Sequence, residues 1–245
     1  MKIKNFGILS GNALKIIAAL SMLIDHIGVM FFPQVKILRI IGRIAMPIFS
    51  FMIAEGARYT RNKARYFLTV FGLAAVCQLV YFLYDGDTYM SILVTFSLSI
   101  LTIYALDFFK ESLFSFEATA LRKILSCLLF LSVVTVVYYL NTILEIDYGF
   151  LGCMLPVFAS VFHAPKNCDM EFLKKLDVMY IHLLMLSVGL VCLALSSGGT
   201  QPWSLLALPF LALYSGKRGK TNMKYFFYIF YPAHLLILEG INIFI

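Results

Sequence analysis

The sequence predicts an all-α, polytopic integral membrane protein of about nine transmembrane helices with a cytoplasmic N-terminus. Three observations carry that expectation. The 245 residues are 61% hydrophobic and 13% charged, with a mean hydropathy of +0.89, whereas soluble domains are about 45–50% apolar and about 25% charged. Apolar runs of membrane-crossing length recur along the whole chain, and basic residues gather in alternate loops between them. No globular core of this size buries such an excess of apolar surface, which excludes a free-standing soluble enzyme. The net charge of +7 and pI of about 9.1 read as an orientation signal, so the expected partner is the lipid bilayer and not nucleic acid. With no linker, low-complexity tract or repeat, residues 1–245 read as a single membrane domain.

A helix crosses the hydrocarbon with about 20 apolar residues. Segments near 14–32, 37–55, 66–84, 90–109, 121–140, 147–163, 176–195, 201–215 and 223–243 meet that need. Two of them, 147–163 and 201–215, are short and hold Pro156 and Pro209, which a helix buried in protein tolerates. Lys2 and Lys4 precede the first segment without a small-residue cleavage site, so it reads as a retained helix. Basic residues cluster at Lys2 and Lys4, Arg58 to Arg65, Lys110 to Lys123, Lys166 to Lys175, and Lys217 to Lys224. The intervening loops carry Asp85 and Asp87, Glu145 and Asp147, or no charge from Ser196 to Gln201. By the positive-inside rule the N-terminus is cytoplasmic and, after nine spans, the C-terminus external. The five cysteines, Cys77, Cys127, Cys153, Cys168 and Cys192, are scattered and form no C-x-x-C pair, so they read as small packed hydrophobes.

Charges inside the spans are the candidate functional groups, because an ionisable residue in hydrocarbon is costly. The first span holds Asp25 and His26, with Ser21, Asp25 and Gly28 repeating at helical spacing as a face that another helix approaches closely. Lys36, Arg39 and Arg43 lie at the outer end of the second span. Lys36 reads as snorkelling to the interface. Arg39 and Arg43 are four apart, share a helix face with Ser50 and call for an anion, Asp25 or a bound group. In the last span Tyr231 and His234 are three apart on one face, with Pro232 between them and Glu239 beyond. His163 and His182 read as structural. No G-x-S-x-G, H-E-x-x-H or P-loop occurs, and His and Cys are too dispersed for zinc, so no metal is expected. A buried histidine with a nearby carboxylate and buried arginines suits proton abstraction and anion stabilisation. It equally suits a small proton-coupled transporter with Asp25 and His26 as its relay, although no second Asp-His block marks an inverted repeat.

The stretches L-K-I-I-A-A-L-S-M-L-I-D-H-I-G and L-R-I-I-G-R-I-A-M-P-I-F-S-F-M-I-A-E-G-A-R-Y-T-R resemble the opening of TraX-type proteins. D-Y-G-F-L-G at 147–152 and F-Y-I-F-Y-P-A-H-L-L-I-L at 227–238 resemble that family's middle and end blocks, with Met46 standing where phenylalanine is expected. The resemblance covers nearly the whole chain. It implies a polytopic acyltransferase, typified by the enzyme that N-acetylates conjugative pilin, within the wider transmembrane acyltransferase superfamily. In that superfamily a membrane-embedded histidine acts on the acceptor and acetyl-CoA is the usual donor. By the resemblance, Asp25, His26, Arg43 and His234 are the expected catalytic set, and Arg39, Glu55, Asp147, Tyr148 and Tyr231 the expected substrate or acyl-CoA set. The expected reaction moves an acetyl group from acyl-CoA to an amine or hydroxyl of a peptide, pilin-like or glycan acceptor of the envelope, in the bacterial cytoplasmic membrane. His26 is the expected base, with His234 in support; Asp25 orients it directly or, because adjacent helical residues diverge by about 100°, through Arg43 or water.

Overall fold

A computed structural model describes residues 7–86, 88–165, 170–221 and 223–244. Lys2, Lys4, Asp87, Lys166 and Cys168, and the side chains of Asp85 and Lys224, lie outside what is described. Among the described residues all regular structure is helical, with two isolated bridge pairs besides. Six helical segments are long and apolar enough to cross a membrane: Gly11–Met30, Lys36–Tyr59, Lys63–Phe82, Ile92–Leu113, Ala120–Ile143 and Met179–Ser197. The protein is therefore a membrane protein of the all-α class. The segment predicted at 147–163 forms a helix of 12 residues, Gly149–Ser160, about 18 Å long at 1.5 Å per residue and shorter than a bilayer core of about 30 Å. The segment predicted at 201–215 gives a 3₁₀ helix, Gln201–Leu206, followed by a short α-helix, Ala207–Ala212. The last predicted segment coincides with helix Lys224–Phe244.

The helices are α1 (Gly11–Met30), α2 (Lys36–Gly42), α3 (Ala45–Tyr59), α4 (Lys63–Asp85), α5 (Ile92–Leu113), α6 (Ala120–Ile143), α7 (Gly149–Ser160), α8 (Glu171–Leu176), α9 (Met179–Ser197), α10 (Ala207–Ala212) and α11 (Lys224–Phe244). They divide into two compact units, residues 1–52 with 190–245, and residues 53–189.

In the first unit α1 packs against α2 and α11 around Leu14, Ala18, Met46, Ile48, Phe51 and Leu211, all at most 2% exposed. The start of α1 is tied down by its cap and by the basic loop before α11. The Ser10 hydroxyl accepts from the Ala13 N–H at 3.2 Å, and the N–H groups of Gly11 and Asn12 donate to the carbonyls of Lys217 and Arg218 at 2.8 and 2.9 Å. These bonds satisfy amides that a helix start leaves open. The second predicted span is not one straight helix, since α2 and α3 are separated at Arg43 and Ile44. Pro47 is the cause: it has no N–H to give the Arg43 carbonyl, and its ring crowds that carbonyl. The break leaves Arg43 in the two-residue turn between α2 and α3. Two glycines let α1 and α2 meet closely, as the small-residue face of α1 predicts. A Cβ at Gly28 would land on the Leu38 side chain, and one at Gly42 on the Asp25 carboxylate.

In the second unit α5 is the centre, packed on α4, α6 and α7. Its buried polar side chains bond carbonyls beside or within α7: Thr95 Oγ1 donates to Asp147 O at 2.8 Å, Ser99 Oγ to Cys153 O at 2.7 Å, and Lys110 Nζ to Ser160 O and His163 O at 2.8 and 3.0 Å. In hydrocarbon such bonds hold the short, proline-bearing helix in place of water. The lipid-directed side chains are apolar, such as Leu68, Phe71 and Leu79 of α4 and Leu121, Leu125 and Leu128 of α6. The described cysteines Cys77, Cys127, Cys153 and Cys192 are free thiols.

The Gly42 contact generates a stability test. Gly42→Ala places a methyl where the Asp25 carboxylate sits, and overpacking of this kind costs about 1–3 kcal/mol. We expect the detergent-solubilised variant to melt clearly below the wild type, with Ala substitution at the open Gly240 as the silent comparison. Equal melting of both variants would refute the close α1–α2 approach.

Candidate active site

Of the predicted residues in the first, second and last spans, Asp25, His26, Arg39, Arg43, Tyr231 and His234 lie within the first unit. The Asp25 carboxylate of α1 is shared by two guanidiniums. Arg39 Nη1 donates to Oδ2 at 2.7 Å, and Arg43 Nη2 donates to Oδ2 at 3.0 Å and Oδ1 at 3.3 Å. The Asp25 and Arg43 side chains are 14% and 11% exposed, while Arg39 retains 32%. The anion that the arginine pair demands is therefore Asp25. Arg43 makes a further bond, from Nη1 to Gln201 Oε1 at 3.2 Å. Lys36 is exposed at the start of α2, in keeping with an interfacial position.

His26 does not join this pairing, although it follows Asp25 in sequence. Adjacent helical residues diverge by about 100°, so α1 presents its acid to the arginines and its imidazole elsewhere. His26 Nδ1 donates to Met22 O at 2.9 Å, and His234 Nδ1 donates to Phe230 O at 2.8 Å. A carbonyl only accepts, so each Nδ1 carries a proton and each neutral ring keeps its lone pair on Nε2. His234 Nε2 lies 3.3 Å from His26 Nδ1, with ring centroids 5.1 Å apart. The His26 Nδ1–H is thus shared between the Met22 carbonyl and the His234 lone pair. His26 Nε2 has no hydrogen-bond partner among the described residues. Asp25 and His26 thus form no direct dyad, as their divergence on the helix leads one to expect; the side chain hydrogen-bonded to His26 is His234, against which the Phe230 ring stacks at 4.9 Å. Tyr231 meets the His234 ring edge-on, with centroids 5.8 Å apart.

A sequence profile of the TraX protein family matches residues 10–242. The chain belongs to the TraX family. It is 24% identical to a probable fimbrial assembly protein FimC, serogroup H1, of Dichelobacter nodosus, over 95% of each chain. It is also 32% identical over 138 residues to the uncharacterized protein RP591 of Rickettsia prowazekii (strain Madrid E), an alignment that covers 56% of this chain and 50% of that protein. No solved structure matches the chain.

The remaining predicted residues of this TraX-family protein lie in the second unit. Asp147 and Tyr148 form the junction before α7. Asp147 Oδ1 accepts from the Tyr89 hydroxyl at 2.8 Å, and Tyr148 has a left-handed backbone with φ of 60°, followed by Gly149 at 61°. For a bulky non-glycine residue that conformation is uncommon. Two successive left-handed residues turn the chain sharply into α7. Glu55 is half-buried in α3.

Sequence reasoning missed two features. The first is Gln201, which lies in a stretch read only as an interrupted span. The second is a cluster that joins the two histidines read as separate. Arg58 grips Asp177 with both Nη groups, at 2.7 and 2.5 Å, while His182 Nε2 and the Ala164 N–H also donate to that carboxylate at 2.9 and 3.2 Å. His163 sits edge-to-face on His182 with centroids 4.4 Å apart, and the Lys110 ammonium lies on its carbonyl. Burial opposes charge on Asp177, but the bonds from His182 and Arg58, the Arg58 charge and the Ala164 N–H outweigh it. They hold the carboxyl well below the usual carboxylate range. Burial, then the charges of Arg58, His182 and Lys110, push the His163 imidazole well below its ordinary value, against a smaller opposing pull from Asp177.

A pH dependence follows. His163 stays neutral in the folded protein, whereas the unfolded chain takes up a proton near pH 6.5. Its contribution is therefore complete above about pH 6.5 and is lost as pH falls toward the lowered native value, with a slope approaching about 1.4 kcal/mol per pH unit. Asp177 contributes above about pH 4 and adds to the loss only below that. We expect thermal melting of the solubilised protein to drop between pH 6.5 and 4, and His163→Gln to flatten that drop. An unchanged slope in the variant would refute the assignment.

Proposed function

We propose that this TraX-family protein is a membrane acetyltransferase that moves an acetyl group from acetyl-CoA to an amine or hydroxyl of a pilin-like or other envelope acceptor. The observation that carries the reading is His26 Nε2, a lone pair with no hydrogen-bond partner among the described residues, on an imidazole backed by a second imidazole. That is the arrangement of a base held by an orienting group. Family membership supports the polytopic acyltransferase class, and the fimbrial assembly description of the Dichelobacter relative supports a pilin-like acceptor.

In this reading His26 Nε2 takes the proton of the acceptor N–H or O–H as the nitrogen or oxygen attacks the thioester carbonyl. The C=O electron pair moves to oxygen, and collapse of the tetrahedral species breaks the C–S bond and releases coenzyme A, which receives the proton. The His26 imidazolium keeps its Nδ1–H on Met22 O and His234 Nε2, which stabilises the charge it has taken up. Arg43, held by Asp25, supplies positive charge for the carbonyl oxygen. Tyr231 and Phe230 shape the wall around His234.

Loop charge sets the proposed orientation, with the N-terminus in the cytoplasm, nine crossings and residence in the bacterial cytoplasmic membrane. The basic loops then lie where acetyl-CoA, with its phosphates, is available. Cysteines placed singly at Arg61 and Asp85 report this directly: a membrane-impermeant thiol reagent on intact cells should label position 85 and spare position 61. Labelling of both from the same side overturns the topology.

The catalytic roles separate by rate. Purified protein with labelled acetyl-CoA and pilin-derived peptides should show transfer. General-base removal costs about 10²–10⁴-fold, so His26→Ala should lose that much and still bind acetyl-CoA. His234→Ala should keep measurable activity. The reverse pattern exchanges the roles, and proton-driven uptake without acetyl transfer replaces the reading with a transporter.

A further inference from the structure

Gln201 and Ser204 stand on the 3₁₀ helix Gln201–Leu206, where side chains three apart eclipse one another and share a face. That face is buried: Gln201 is 5% exposed and Ser204 0%, while Pro202 and Trp203 between them are exposed. Arg43 is purely a donor, so its bond at 3.2 Å requires the oxygen of the Gln201 amide to face it. The amide orientation is thereby fixed, and Nε2 with its two hydrogens points away from the guanidinium. Gln201 Nε2 and Ser204 Oγ are both buried without a hydrogen-bond partner among the described residues. A buried, unpaired polar group costs about 1–3 kcal/mol. Two such groups on one short face, next to the arginine of the candidate site, are not explained by packing within the fold.

We infer that Gln201 and Ser204 form a substrate-binding subsite for a carbonyl oxygen. The amide N–H and the hydroxyl donate to it, and Gln201 at the same time positions the Arg43 guanidinium. The inference rests on the acetyltransferase reading and extends it to residues outside the histidine and arginine motifs. A carbonyl oxygen is present both in the acyl donor, at the thioester, and in a peptide acceptor. Gln201→Glu keeps an oxygen for Arg43 and replaces the donor with a second acceptor. Ser204→Ala removes only the hydroxyl.

The test uses the full chain in detergent with three readouts: binding of acetyl-CoA and of coenzyme A, the KM for a pilin-derived peptide in acetyl transfer, and thermal melting. If the subsite takes the thioester carbonyl, Gln201→Glu weakens acetyl-CoA binding roughly tenfold or more and leaves coenzyme A binding unchanged. If it takes a carbonyl of the acceptor, both donor affinities hold and the peptide KM rises by a similar factor. In either case the ligand-free Ser204→Ala protein melts at or above the wild-type temperature, since its hydroxyl has no bond to lose. Variants with wild-type affinities and KM in an active protein overturn the subsite alone, as does a Ser204→Ala protein that melts several degrees lower. A wild-type protein that neither binds acetyl-CoA nor transfers acetyl overturns the acetyltransferase reading beneath it.

Discussion

One carboxylate holds two guanidiniums inside a span, and the arrangement of the first unit follows from that constraint. Residues 1–52 and 190–245 contain two acids in all, Asp25 and Glu239, so Asp25 has little redundancy. Its reach to Arg39 and Arg43 demands that α1 and α2 touch, which Gly28 and Gly42 permit by having no side chain at the crossing. The break before Pro47 leaves Arg43 between α2 and α3, and Gln201 fastens the other Nη of that guanidinium. Removal of one member of a buried ion pair typically costs about 3–5 kcal/mol, because the partner's charge is left stranded. The network is therefore a structural tie first, and whatever chemistry it supports inherits its rigidity.

That rigidity passes to His26 through the helix. Asp25 fixes the rotation of α1, and a residue about 100° further round must then face another element. Here that element is α11, where His234 lies against His26. The backbone completes the arrangement, since the carbonyls of Met22 and Phe230 select the same tautomer in both rings. One Nε2 lone pair accepts from the neighbouring ring, and the other has no hydrogen-bond partner among the described residues. A pair of histidines placed without those carbonyls would have no such division of roles.

Much of the class and part of the site were legible in the sequence. Each of the nine apolar segments contains helix, and the Asp25, Arg39 and Arg43 set was readable because isolated charges in apolar runs must find one another. The limits have physical causes. The break at Pro47 is invisible to hydropathy, which stays high across it, although the proline itself announced it. The contact of His26 with His234 spans 208 positions and is set by packing of α1 on α11, which no local spacing encodes. Gln201 and Ser204 sit three apart, a spacing that means a shared face in any helix but carries meaning only once that face is known to be buried. Arg58, His163 and the nearby pair Asp177 and His182 come from three separate stretches, each unremarkable by itself.

Charge balance distinguishes the two buried clusters. In the second unit Arg58 faces Asp177, and Lys110 faces Asp107 at 3.4 Å with two carbonyls beside it; Asp107 also lies 3.8 Å from Lys63, but that ammonium is half-exposed, so each of the two buried cations has an acid it shares with no other buried cation. Arg39 and Arg43 instead divide a single carboxylate, which leaves the group with one positive charge in excess. Excess charge within a membrane segment is unfavourable in the resting protein and becomes favourable when negative charge arrives. An acyl transfer supplies such charge transiently, on the oxygen of the tetrahedral species, and weakly in the ground-state thioester. Interactions stronger in the transition state than in the ground state are the ones that accelerate a reaction. The imbalance that makes the arginine pair costly as pure structure thus supports the acyl transfer proposed for it. The donors on Gln201 and Ser204, without a partner among the described residues, follow the same logic in the proposed subsite.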